Sequence, residues 1–344
     1  MDLIFTSEYL QPLVLGEPPL HYIRGISPKP NAPLLIFLHG FPESAYAWSD
    51  FLPYYLERGY TVLAPDQRGY LLSTGYKKKV AFQMDSLVED VKRLIEHHPS
   101  ENISIVGHDL GGAVVWRLAE KYPMLCQSII LLNSPHPGTH SKMFRSKPWL
   151  TVRQTFRLWY LYFFQLPRLP EWIMSKGNGF WLDYIFKRWI RKESKPLLAR
   201  IKFYKRSLVG MKALKESIET YRCNVFGVYG LRLLKPYFFK CDYEPIKASV
   251  LMLWGGRDFL FENELLKHTR AFCENDITFH TWQEGGHWLH HEYLKEVILK
   301  VNVFLKKEGV IPINDSQDER TFSLYRSIKL MTLFDECLKM KNEL

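Results

Sequence analysis

Three side chains of this sequence have the types and the settings that covalent catalysis needs: Asp109, Asp258 and His287. Each follows an apolar run, and each lies in a glycine-rich turn. Asp109 is central in Gly107-His108-Asp109-Leu110-Gly111-Gly112, Asp258 follows Gly255-Gly256-Arg257, and His287 follows Gly285-Gly286. A carboxylate is a poor choice for attack on a carbonyl. It suits displacement at a saturated carbon, which leaves an ester that water can cleave. A histidine oriented by a second carboxylate supplies the base for that water. The order along the chain is nucleophile, acid, base.

The elements that must position these groups read as alternating strands and helices. Ile103 to Val106 form a β-branched apolar run, a buried strand, and Ala113 to Tyr122 read as the helix after the turn. Small residues at Gly107 and Gly111 let strand and helix crowd together while Asp109 takes a strained backbone and points outward. Further strands are expected at Leu34 to Leu38, Tyr60 to Ala64, Ser128 to Leu132, Ser249 to Trp254 and Ile277 to Trp282. Apolar spacing at Leu87, Val88, Val91, Leu94 and Ile95 predicts a helix over Ser86 to His97, and a last core helix is expected over Leu294 to Lys306. The pattern predicts an α/β fold, a mostly parallel sheet with helices on both faces, whose ligand site lies at the carboxyl ends of the strands. His39, Asp66, Asp109 and Asn133 all fall there.

From His136 to Tyr243 no strand pattern is found. This stretch is aromatic and basic, and it reads as an inserted helical lid over the strand ends. Between Lys187 and Arg206 it carries nine basic residues against Glu193 alone. That composition fits either a solvated helix face or a surface for anionic lipid or a fatty-acid carboxylate. The expected organisation is a core over residues 1–135, a lid over 136–245, a second core part over 246–308 and a C-terminal extension over 309–344. Within the extension, Phe322 to Leu338 have the makings of an amphipathic helix.

Composition sets the outer bounds. The 344 residues are 47% apolar and 15% aromatic, with a net charge of +10. That suits a large core and an aromatic-lined cavity, and no nucleic-acid motif accompanies the charge. The five cysteines are scattered, without metal-ligand or CxxC spacing, and read as reduced thiols. Met1 to Gly16 lack the basic start of a signal peptide, and no apolar run reaches the ~18–20 residues of a membrane span. The expected setting is cytoplasmic, or peripheral on the cytosolic face of the endoplasmic reticulum membrane.

The motifs together resemble the epoxide hydrolases of the α/β-hydrolase fold. The matching pieces are His39-Gly40-Phe41-Pro42-Glu43, Asp66-Gln67-Arg68-Gly69-Tyr70, the Asp109 turn, Asn133-Ser134-Pro135-His136-Pro137, Phe163-Phe164-Gln165-Leu166-Pro167, Gly255-Gly256-Arg257-Asp258 and Gly286-His287-Trp288. The likeness covers about residues 20 to 308 and is greatest to the microsome-associated members, whose N-terminal membrane anchor is not expected in this chain. The resemblance implies that Asp109 is the nucleophile, His287 the base and Asp258 its orienting acid. It implies lid tyrosines at Tyr160 and Tyr221 that bind the epoxide oxygen, with Tyr162 as the alternative to Tyr160. Backbone N–H groups of Phe41 and Leu110 are expected to form the oxyanion hole. Pro42, Trp159, Tyr162 and Trp288 are expected to contact substrate. No metal or organic cofactor is implied, and the expected partner is a lipophilic epoxide.

The sequence departs from the family pattern in three places. Leu110 stands where the family commonly has Trp, Leu71-Leu72 replace the Gly-x that usually precedes Ser73, and Leu161 replaces a polar residue. Two other readings compete. A haloalkane dehalogenase shares the Asp turn, but Leu110 removes a halide donor. A ligand-binding protein on the same scaffold has no need of all three catalytic groups. A serine esterase is excluded by Asp109.

Overall fold

The computed structural model describes residues 3–191, 195–208, 211–225, 243–310 and 328–343. The strands are β1 (Phe5–Leu10), β2 (Leu20–Gly25), β3 (Leu34–Leu38), β4 (Thr61–Pro65), β5 (Ile103–His108), β6 (Ser128–Leu132), β7 (Ser249–Gly255) and β8 (Ile277–Trp282). They form one sheet in the order β1-β2-β4-β3-β5-β6-β7-β8. β2 pairs antiparallel with β1 and β4, and every pairing from β4 to β8 is parallel. β3, β5 and β6 are buried along their whole length, as expected for central strands of a parallel sheet covered on both faces.

Both faces of the sheet are covered. Leu34, Ile36 and Leu38 pack with α2 (Met84–His97) and α3 (Leu110–Lys121). Leu35 and Phe37, pointing the other way, pack with α1 (Phe51–Glu57). The apolar positions expected on α2 are buried, but the helix begins two residues before Ser86. Asn224 explains this, since its Oδ1 accepts the Met84 N–H at 2.8 Å and caps the first turn from the lid.

Among the described residues, the stretch read from the sequence as a lid folds into α4 (Thr139–Ser146), α5 (Pro148–Arg157), α6 (Trp159–Phe163), α7 (Leu169–Ser175), α8 (Phe180–Trp189), α9 (Lys195–Leu208) and α10 (Met211–Val225). The core resumes with β7, then α11 (Asn263–Thr269), β8, α12 (Leu289–Glu292) and α13 (Leu294–Lys307), the last covering the same face as α1. A final helix, α14 (Ile328–Glu343), covers the described part of the expected span, whose residues 322–327 lie outside the described residues. Its Phe334 is fully buried between Tyr46 of the core and Phe203 of the lid. Cys337 of α14 lies 3.7 Å from the buried His21, which pairs with Asp66 at 2.6 Å and with Ser7 Oγ at 2.8 Å.

Candidate active site

The turn after β5 is forced by contact. A Cβ on Gly111 would lie 2.3 Å from the Leu38 carbonyl oxygen, and one on Gly107 would lie 2.7 Å from Gly112 Cα. Only hydrogen at these positions lets α3 start hard against β3 and β5. Between them Asp109 adopts φ 49° and ψ −115°, a strained conformation of roughly 1–3 kcal/mol that the surrounding contacts hold in place. Ser134 Oγ donates to the Asp109 carbonyl at 2.9 Å, which locks the turn from the β6 side. The carboxylate projects above the strand ends.

Its two oxygens meet different surroundings. Oδ2 accepts the Phe41 N–H at 3.1 Å. Oδ1 faces His287 Nε2 at 3.8 Å, too far for a hydrogen bond. His287 Nδ1 lies 2.9 Å from Asp258 Oδ2, while Asp258 Oδ1 accepts the N–H groups of Leu260 at 2.7 Å and Phe261 at 3.2 Å. Asp258 is thereby fixed by its own loop and fixes the imidazole. Burial pulls the His287 pKa down, but the charges of Asp258, Asp109 and Glu43 outweigh it and raise the pKa to about 9.

Asn133 joins the two loops that carry this pair. At φ 43°, its side chain donates to the Gly286 carbonyl at 2.7 Å and accepts the Gly255 N–H at 2.7 Å. The residue lies in a sequence motif, but its clamping role involves partners more than 120 positions away and has no local signal. A second tie runs beneath the site. His108 Nε2 lies 3.0 Å from the His287 carbonyl, and His108 Nδ1 lies 3.0 Å from Glu43 Oε2. Glu43 Oε1 also meets His290 at 3.0 Å and His291 at 2.7 Å. Glu43, His108 and His290 present ligand-type atoms within 4.8 Å of one another. These atoms already pair with each other, so the cluster works as a polar network binding three loops together. The three histidines on one buried carboxylate give no recognisable sequence spacing.

The lid contributes Tyr160 from α6 and Tyr221 from α10, with ring centroids 6.3 Å apart. Burial and the nearby Asp109 charge push both phenols well above the usual tyrosine range, so they remain protonated donors. Arg222, next to Tyr221, forks onto Glu171 at 2.6 and 3.0 Å and donates to the Phe164 and Leu166 carbonyls, which pins α10 to the chain around α6 and α7.

Two cavities meet at Asp109, Tyr160 and Tyr221. One, of about 350 Å³, has a wall of Phe41, Pro42, Trp159, Phe163, Trp181 and Trp189. The other, of about 380 Å³, includes Leu110 and the polar residues Asp85, Arg117 and Glu120. Among the residues expected to touch substrate, Pro42 and Trp159 thus line a cavity. Trp288 does not. It is fully buried behind His287, against Phe186 at 4.6 Å and Trp189 at 6.0 Å, and Trp189 takes the place at the wall. The reason is that the chain turns directly into α12 after His287, so the next side chain faces the core. Tyr162 is 48% exposed on the outer side of α6 and lines neither cavity. Leu71 explains how the altered loop copes: it takes the left-handed φ of 39° without glycine, and Gly69 N–H to Ser73 O at 2.7 Å closes the turn.

Residues 33–293 match the family model of the alpha/beta hydrolase fold. Epoxide hydrolase 3 of Mus musculus is 30% identical over 294 residues, 83% of this chain and 74% of that protein. The chain belongs to the epoxide hydrolase family of alpha/beta hydrolases. Epoxide hydrolase 4 of Mus musculus is 29% identical over 84% of this chain and 76% of its own length. A crystal structure of the Bacillus megaterium epoxide hydrolase with an inhibitor superposes with a TM-score of 0.71 at 27% identity, covering 87% of this chain and all (100%) of that one.

Proposed function

We propose that this epoxide hydrolase opens a lipophilic epoxide to a vicinal diol through a covalent ester on Asp109. The observation that carries the reading is the two-sided setting of that carboxylate. Oδ2 rests on the Phe41 amide, which leaves Oδ1, on the side of His287, as the attacking oxygen. Oδ1 forms a bond to one epoxide carbon as the ring C–O bond breaks on the opposite side. Tyr160 and Tyr221 donate hydrogen bonds to the departing oxygen, and one phenol gives it a proton that is later regained from solvent. Two donors that stay protonated at neutral pH suit an alkoxide leaving group.

Esterification removes the negative charge of Asp109. One of the charges that hold the His287 pKa near 9 is then gone, and the imidazole becomes easier to deprotonate when a base is required. His287 takes a proton from water, and the hydroxide attacks Cγ of Asp109. The oxyanion forms on Oδ2, already beside the Phe41 N–H, with the Leu110 N–H as the second donor. Collapse breaks the bond from Cγ to the alkyl oxygen. The diol leaves with the proton from His287, and Asp109 keeps one oxygen of water.

Substrate shape follows from the paired cavities. An epoxide with a substituent on each ring carbon lays one in the aromatic arm and the other in the arm that ends among Asp85, Arg117 and Glu120. That favours an extended apolar chain whose far end is polar. The test is a single turnover of trans-stilbene oxide in oxygen-18 water. Label is expected in Asp109 and not in the first diol. Asp109→Asn is expected to bind the epoxide but form no diol, read by product analysis. Label passing straight into the diol sinks the ester. No diol from several epoxides sinks the hydrolase reading and favours a ligand-binding protein.

A further inference from the structure

We propose that the outer face of the lid, formed by α5 to α8, docks on the anionic surface of a lipid bilayer and lets substrate enter the aromatic cavity from the membrane.

The apolar residues of this face are exposed in a helical pattern. On α5, Trp149, Val152 and Phe156 recur at intervals of three and four, with Leu150, Thr151 and Gln154 buried on the opposite side. On α7, Leu169, Trp172 and Ile173 repeat the pattern, and on α8 Phe180 and Tyr184 stand one turn apart. Trp149, Phe156 and Phe180 are 64%, 73% and 67% exposed. Among the described residues, every exposed tryptophan of the protein lies here. A core-facing stripe has been turned to the outside, and scattered surface apolar residues do not produce that arrangement.

Charge identifies the occupant. Residues 139–191 contain ten Lys and Arg against Glu171 and Asp183, and of the ten Lys147 pairs with Glu264 and Arg153 and Arg157 pair with Glu262 of the core. Both carboxylates are bound within the lid, Glu171 to Arg222 and Asp183 to Lys205 at 2.6 Å. Arg168, Lys176, Lys187, Arg188 and Arg191 are exposed at the helix ends beside the apolar residues. Lys176 Nζ lies 5.4 Å from the Trp172 ring and Arg153 lies 5.6 Å from the Trp149 ring. Tryptophan bodies flanked by long cationic side chains suit the headgroup layer, where one end is apolar and the other is wet and negatively charged. An acidic protein partner would match the charge but not so broad an aromatic face. Among the described residues no helix is long and apolar enough to cross a membrane, so the contact would be with one leaflet.

The face borders the cavity. Trp159, Ile173 and Tyr184 are partly exposed on it and also line the aromatic cavity. The entry route rests on the lipophilic-epoxide reading above; the docking itself does not.

The experiment is co-sedimentation of the full chain with vesicles of phosphatidylcholine alone and of phosphatidylcholine with about 30% phosphatidylserine. Wild type is expected to sediment with the anionic vesicles and to bind at least tenfold less in 0.5 M salt or with neutral vesicles. The variant carrying Trp149→Ser, Phe156→Ser, Trp172→Ser and Phe180→Ser should lose at least tenfold in binding, with an unchanged melting temperature and unchanged turnover of a water-soluble epoxide. Lys187→Glu with Arg188→Glu should lose binding to the anionic vesicles without loss of aromatic residues. Failure of wild type to sediment overturns the proposal, as does binding that survives both variants. A dimer in size exclusion that the serine variant dissolves, with no vesicle binding, assigns the face to a second copy. Because sedimentation needs no epoxide, its failure is separate from failure of the catalytic reading.

Discussion

At the scale of single residues the site is governed by which charges face which protons. His287 is lifted because it lies among the carboxylates of Asp258, Asp109 and Glu43, against the downward pull of its burial. Asp109→Asn removes one of them, so the His287 pKa should fall from about 9, read by NMR titration of the ring. A pKa that does not move would mean that the two groups are not coupled. The lid phenols obey the opposite logic, since burial and the Asp109 charge keep them protonated. Tyr160→Phe and Tyr221→Phe should each slow ester formation on the order of 10²-fold under single-turnover conditions. Ester breakdown should change little. Equal loss in both steps would assign the phenols to general positioning. These types were legible in the sequence, because a glycine-flanked Asp and a Gly-Gly-His read the same in one dimension as in three.

At the scale of elements, the machinery depends on clamps between loops. Asn133 holds Gly255 and Gly286, and so sets the distance between Asp258 and His287. Asn133→Ala loses both bonds and the tolerance for φ 43°. It should destabilise the protein by on the order of 2 kcal/mol or more, read as a lowered Tm. Asn133→Gly keeps the backbone freedom but not the clamp, so its kcat should fall with KM nearly unchanged. Full activity in that variant would limit Asn133 to a backbone role. Element positions were mostly legible from period and composition, down to the bounds of β3, β6 and β8. The start of α2 was not, because its cap is Asn224, far along the chain. Trp288 was misplaced for a related reason: a motif gives neighbours in sequence, not the side of the turn on which each side chain falls.

At the scale of the whole molecule, the C-terminal helix closes the structure. α14 brings Phe334 between core and lid and Cys337 beside His21. Burial lowers the His21 pKa, but the hydrogen bond and charge of Asp66 more than offset it and raise it to about 9. A histidine raised from about 6.5 in the unfolded chain contributes stability that is fully present below about pH 6.5. That contribution is lost as the pH climbs through about 9. His21→Gln should therefore lower the Tm most near pH 6 and flatten its decline between pH 6.5 and 9, read by thermal melts across that range. A variant with the same alkaline decline as wild type would show that other groups control it. The amphipathic pattern of Phe322 to Leu338 does not say where this seam lies, because the seam is made by contacts with β1, Tyr46 and Phe203 from three separate regions.

Local residue patterns were enough for the fold class, for the strand ends that carry the candidate site, and for the order Asp109, Asp258, His287. Each of these follows from local physics: period-two and period-3.6 burial, glycine where no Cβ fits, and carboxylate and imidazole types in turns. Packing settled which oxygen of Asp109 accepts the Phe41 amide, that Trp189 and not Trp288 forms the cavity wall, and that Glu43 gathers three histidines beneath the site. It also decided that an aromatic, basic lid keeps one aromatic face inward around two cavities and turns another outward. Those outcomes depend on distances between groups remote in the chain and on the direction of each side chain, which are fixed only when the helices pack.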